Sequence, residues 1–73
     1  MATFADRMKE LRKERGLKQQ ELCELLGVKL RGYQVYEYGE GYPEVSRLLI
    51  LADFYDVSLD YLMGRTDKRE VNR

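Results

Sequence analysis

Gln19–Tyr38 reads QQELCELLGVKLRGYQVYEY, and the spacing within it decides the fold. Leu22, Leu25 and Leu26 fall at helical intervals up to Gly27. Val28 follows, and a second periodic run starts near Leu30, with Tyr33 and Tyr36 three apart on one face. Two short helices joined across a glycine form a helix-turn-helix, whose second helix can enter a DNA major groove. Each position has a physical reason. Cys23 is small where the helices cross, Gly27 supplies a positive φ that a Cβ would oppose, and Val28 fills the corner.

Outward from this stretch, Thr3-Phe4-Ala5-Asp6 has the spacing of a capping box and starts the first helix. Phe4, Met8 and Leu11 form its apolar stripe, and Gly16 ends it after Arg15. Arg12 lies one residue beyond the stripe, close enough to reach the core. The second helix covers Gln19–Leu26 and the third Leu30–Tyr38, preceded by Lys18 and Lys29 where a capping Ser, Thr, Asp or Asn is worth roughly 1 kcal/mol. A lysine there also opposes the helix dipole. A phosphate held between the lysine and the free N–H groups of the first turn would compensate. Gly32 costs about 1 kcal/mol inside a helix, and its missing side chain would let a sugar-phosphate or base edge come close.

Residues 39–43, GEGYP, form the clear loop. A fourth helix then spans about Glu44–Tyr55, with Val45, Leu48, Leu51, Ala52 and Tyr55 on one face and Leu49, Ile50 and Phe54 widening the apolar surface. Ser58 caps a short fifth helix that runs through Met63 and stops at Gly64. The expected fold class is therefore all-α: a five-helix domain over residues 1–66, followed by a charged, mobile tail over 67–73.

Composition narrows the function. Seventy-three residues, 44% of them hydrophobic, make one small domain with a single core. The absence of a long apolar run and of a cleavable leader gives the expectation of a cytoplasmic protein with no membrane partner. A lone cysteine and no histidine remove disulfide staples, the usual zinc ligands and the usual acid–base residue. No cofactor, metal or catalytic residue is expected, because no nucleophile–base pair stands out. The charge is balanced overall, yet residues 1–31 carry +3 and residues 32–73 carry −3. A small neutral domain polarised in this way can still present a basic face to phosphate.

With the helices placed, the chain resembles the lambda-repressor-like, Xre-type helix-turn-helix family across Phe4–Thr66. The resemblance rests on Phe4, Arg7-Met8-Lys9, Leu11-Arg12, Gly16-Leu17-Lys18-Gln19, Glu21-Leu22 and Leu25-Leu26-Gly27-Val28. It continues through Tyr36-Glu37, Gly39, Pro43, Leu48-Leu49, Leu51-Ala52 and the run VSLDYLMG at 57–64. It implies a compact domain that binds double-stranded operator DNA, usually as a homodimer, and regulates transcription. Arg12 and Glu37 match a structural ion pair between the first and third helices. Breaking a buried pair of that kind costs about 3–5 kcal/mol.

Gln19 matches a phosphate-contacting glutamine that can also brace the reading helix. Base-reading positions fall on Leu30, Arg31, Gln34 and Val35. Arg31 is suited to the O6 and N7 of guanine, Gln34 to adenine, and Leu30 and Val35 to a thymine methyl. Lys18 and Lys29 are assigned to phosphates, as are the hydroxyls of Tyr38 and Tyr42 and the N–H of Gly39. Both tyrosines have covering the edge of the core as an alternative role. Ile50, Phe54, Tyr61 and Met63 are the expected dimer surface, since so small a fold has little room to bury every apolar residue. Recognition helices in such a dimer lie about 34 Å apart, one turn of DNA.

The expected function is thus a sequence-specific regulator, a repressor by preference, acting on a symmetric operator. With no sensor segment in view, an inducing signal would act through a protein partner, proteolysis or expression level. The alternative is an antitoxin-like protein-interaction module that uses the same fold with little DNA readout. Neutral net charge, Gly32 and the apolar Leu30 and Val35 favour it.

Overall fold

Thr3 sets the start of the first helix with both halves of a capping box. Its hydroxyl accepts from the Asp6 N–H at 3.2 Å, and the Asp6 carboxylate accepts from the Thr3 N–H at 3.0 Å. The computed structural model describes residues 2–71. Among these it holds five helices and no strand: α1 (Phe4–Glu14), α2 (Gln19–Leu26), α3 (Leu30–Glu37), α4 (Val45–Tyr55) and α5 (Leu59–Leu62). The expected boundaries differ only where Arg15, Tyr38, Glu44 and Met63 prove to be caps rather than helical residues.

Each connection follows from the residue that ends a helix. Gly27 closes α2 in the left-handed conformation, φ 68° and ψ 36°, and the Cys23 carbonyl then accepts from both Gly27 and Val28. This turns α3 across α2. At the start of α2 the missing hydroxyl cap is half replaced, because the Glu21 carboxylate accepts from the Lys18 N–H at 3.4 Å. Asp56 ends α4 in the left-handed region at φ 52°, a role aspartate fills more readily than most residues. The Ser58 hydroxyl caps α5 by accepting from the Tyr61 N–H at 3.0 Å.

α3 packs on α1 and α2, while α5 packs on α1 and α4. Between them Met8, Leu22, Tyr33, Leu51 and Leu62 are wholly or almost wholly buried. The radius of gyration is 11.3 Å, close to the about 11 Å expected of a folded domain this long.

Two expectations are corrected. Val45 is 65% exposed rather than in the core, and Glu44 and Ser46 on either side of it at the start of α4 are exposed as well. Tyr61, placed on the dimer surface, is buried at 3% exposure. Its ring lies under the Arg7 guanidinium, 3.8 Å from the ring centroid, and its hydroxyl donates to Glu10 and accepts from Arg69. It has no free surface to offer a second subunit.

The segment after α5 also differs from a free tail. Arg7 donates to Asp67 at 2.9 Å and to the Thr66 carbonyl. Arg69 reaches both carboxylate oxygens of Glu14 at 2.6 and 2.7 Å, and its carbonyl accepts from the Ser58 N–H. Residues 66–69 therefore strap α5 to α1. The expectation of mobility also covered Asn72 and Arg73, which lie outside the described residues.

Candidate nucleic-acid interface

The placement of α3 is governed from behind by one carboxylate. Glu37 is 1% exposed, a burial that a charged group tolerates only when its acceptor sites are filled. Four donors fill them. Arg12 contributes Nε at 2.6 Å and Nη2 at 3.1 Å, Gln19 contributes Nε2 at 3.1 Å, and the Tyr33 hydroxyl lies at 2.5 Å. Arg12 also donates Nη1 to the Leu17 carbonyl at 3.0 Å, which fixes the turn between α1 and α2. The network thus pins three helices to one another at the back of α3.

The same network sets the protonation states. Burial pushes the Glu37 carboxyl up, but the hydrogen bonds from Arg12, Tyr33 and Gln19, with the Arg12 charge, together outweigh it. The carboxyl sits below its ordinary range and stays ionised. Burial, then the bond to Glu37, drives the Tyr33 hydroxyl far above its ordinary value, so it remains a donor. Arg12 is held even more firmly protonated by Glu37.

The opposite face of α3 is open. Arg31 stands there exposed, with no partner among the described residues, while Leu30, two turns before Glu37 on its own side of the helix, is 43% exposed because it opens α3. Gln34 is half-buried and donates its amide to Gln19 Oε1 at 3.2 Å. Its second amide hydrogen and its Oε1 stay available to pair with adenine while Gln19 is held. Val35 is half-buried against the core and close to Gly41. Arg31, Gln34, Val35 and Tyr38 line a shallow concavity of about 410 Å³, joined by Glu40 from the following loop.

Of the residues assigned to phosphates, Tyr38 lines this concavity. Lys18 and Lys29 are exposed at the N-termini of α2 and α3, and neither makes a side-chain cap. Gln19 donates one amide hydrogen to Glu37 and accepts from Gln34, which makes it a brace, and its second amide hydrogen has no partner among the described residues. Tyr38 is 61% exposed, and Gly39 is exposed beside it. Tyr42 is 68% exposed, although its ring lies 5.4 Å from Phe4 and so covers the core edge as well. Ile50 stands 42% exposed on α4. Phe54 and Met63 are half-buried against the core, with the Arg15 guanidinium 5.1 Å from the Phe54 ring.

Sequence reasoning passed over two residues near these surfaces. Arg7, only 6% exposed, falls three residues after Phe4 and four before Leu11. That stripe spacing is the signal that it would be buried. Glu40 belongs to the 39–43 loop, and its position over the concavity depends on the loop's path, which spacing does not reveal. Cys23 is buried, and burial pushes its thiol pKa up, which disfavours the reactive thiolate. Among the described residues no cluster of His, Cys, Asp and Glu is placed to hold a metal ion, and no helix is long and apolar enough to cross a membrane.

Comparison with known proteins agrees with this geometry. A family model described as helix-turn-helix matches residues 8–62, which takes in all of α2 to α5. The chain belongs to this helix-turn-helix family, of the Xre, lambda-repressor-like type. It is 39% identical over 64 residues to an uncharacterised HTH-type transcriptional regulator, YobD, of Bacillus subtilis, covering 88% of this chain and 57% of that protein. The chain therefore spans a little over half the length of that relative.

Among solved structures, a transcriptional regulator from Listeria innocua superposes with a TM-score of 0.84 at 37% identity, covering 97% of this chain and 64% of that one. The P22 c2 repressor, solved in complex with a synthetic operator, superposes with a TM-score of 0.81 at 26% identity, covering 90% of this chain and all of the repressor domain. The family is one of transcriptional regulators rather than enzymes.

Proposed function

We propose that this protein is a sequence-specific double-stranded-DNA-binding regulator, acting as a repressor in the cytoplasm on a two-fold symmetric operator. The observation that carries the reading is the two-sided construction of α3. Its back is locked by the buried Glu37 network, and its front leaves Arg31 unpartnered beside Gln34 and Val35, with Leu30 exposed at its start. A reading helix needs both: rigid placement, and side chains not spent inside the protein. The likeness to a repressor solved on operator DNA supports the same orientation.

In this reading Arg31 takes the O6 and N7 of a guanine, Gln34 a neighbouring base edge, and Leu30 and Val35 a thymine methyl. Lys18, Gln19, Lys29, Tyr38, Tyr42 and the Gly39 N–H hold phosphates, and Gln19 also fixes the approach of α3 to the groove. A homodimer forms through Ile50, Phe54 and Met63, without Tyr61. A protein partner that covers either surface would control activity.

The test is selection of bound duplexes from a random pool, followed by gel-shift titration over a range of salt. A symmetric sequence bound with Kd of about 10⁻⁸–10⁻¹¹ M is expected, with much weaker binding to random duplex. Lys18 and Lys29 from each subunit neutralise four phosphates per dimer, which gives a log–log salt slope of about −4. Indifference to both sequence and salt would overturn the reading in favour of an antitoxin-like protein-interaction module.

A further inference from the structure

The concavity on the outer side of α3 contains one residue whose charge is wrong for DNA. Glu40 lines it together with Arg31, Gln34, Val35 and Tyr38. It is exposed, and its carboxylate has no ion-pair or hydrogen-bond partner among the described residues. Its backbone is not loose, because its N–H donates to the Val35 carbonyl at 3.0 Å and so returns the loop over the end of α3. A carboxylate held there meets the phosphate walls of any major groove that α3 enters. The cost is the same for every sequence unless a base edge repays it.

From this we infer that Glu40 is a specificity-determining residue of the reading face, selecting a cytosine or adenine amino group and penalising every duplex that lacks one at that position. The inference rests on the DNA-reading role of α3. An ionised carboxylate only accepts hydrogen bonds. In the major groove guanine presents the acceptors N7 and O6, and thymine presents O4 and a methyl group. Only cytosine N4 and adenine N6 donate. Glu40 is therefore satisfied by two bases and repelled by the other two, while the adjacent Arg31, a pure donor, has the opposite preference for guanine. The pair reads neighbouring edges in complementary senses, and the acidic member suppresses binding to random DNA that the basic residues alone would allow.

The experiment compares the full chain with Glu40→Gln and Glu70→Gln. Glu70 lines a separate hollow with Asp56, Arg69 and Val71, so its substitution makes the same change in net charge away from α3. Each protein is titrated by fluorescence anisotropy against the duplex recovered by selection and against a random duplex of equal length. Glu40→Gln is expected to bind random duplex more tightly than the parent. Its ratio of specific to random affinity should fall by about 5- to 150-fold, the span of a single mismatched base pair. Renewed selection with this variant should no longer exclude guanine and thymine at one position per half-site, because an amide donates as well as accepts.

An unchanged ratio, or an equal effect from Glu70→Gln, overturns the assignment while the parent's own discrimination leaves the DNA-reading role intact. A parent chain that fails to distinguish the two duplexes overturns both.

Discussion

Replacing Glu37 with glutamine tests whether the back of α3 is locked as the hydrogen bonds indicate. The substitution keeps the side chain's shape but removes its charge, and turns one acceptor oxygen into a donor that faces other donors. Arg12, whose side chain is only 14% exposed, loses its counter-charge, and the Tyr33 hydroxyl competes for the single oxygen that remains. Removing one partner of a buried pair costs about 3–5 kcal/mol, and the residual exposure of Arg12 favours about 3. A domain of this length holds roughly 4–11 kcal/mol in total.

At about 4–8 °C per kcal/mol, the melting temperature should fall by at least about 12 °C at pH 7. Thermal unfolding followed by circular dichroism at 222 nm provides the readout. The pH dependence gives a second check. The Glu37 carboxyl lies below its ordinary value of 4.5 in the folded state. The unfolded chain therefore takes up the proton first as pH falls, so the stabilisation is present above that value and is lost through the acid range below it. Glu37→Gln should remove this part of the acid sensitivity. A melting temperature within about 2 °C of the parent would show that Arg12 is solvated and that the pair does not position α3.

Three other substitutions probe the fold and the interface separately. A Cβ at Gly32 would meet only Val28, at an ordinary 3.9 Å. Gly32→Ala should therefore stabilise the domain by about 1 kcal/mol, visible as a rise in melting temperature of about 4–8 °C. Gly64 has φ +77°, and a Cβ there would lie 2.2 Å from the Ala2 carbonyl oxygen. Gly64→Ala should lower stability by more than the about 1–2 kcal/mol of left-handed strain alone, measured by urea unfolding. Lys29→Ala should weaken binding to all duplexes alike and flatten the salt slope of the dimer by about two units, one per subunit, in gel-shift titrations.

The parts legible in the sequence were those fixed by local chemistry. α2 could be bounded at Gln19 and Leu26 because Gly27 sits where only a left-handed residue continues the turn. The capping box at Thr3 and the hydroxyl cap at Ser58 were readable for the same reason: donor and acceptor lie three residues apart. The Arg12–Glu37 pairing is 25 residues apart in sequence, and only the family resemblance suggested it.

The features that escaped depend on neighbours far along the chain. Whether Tyr61 is covered depends on Arg7 and Arg69, and the strap over residues 66–69 depends on carboxylates in α1. A polar, charged segment reads as solvated until its partners' positions are known. Val45 belongs to the apolar period of α4, but period does not say which of its turns is covered. Glu40 lies over the reading face only because its loop folds back onto Val35.

The central claim is that the outer surface of α3 lies against base pairs, with Arg31 reading one of them. Anisotropy titration of the parent and Arg31→Ala against the selected operator and a scrambled duplex tests it most directly. A loss of about 1–3 kcal/mol on the operator is expected, with one base position relaxed and a much smaller change on the scrambled duplex. Full operator affinity in the variant would contradict it.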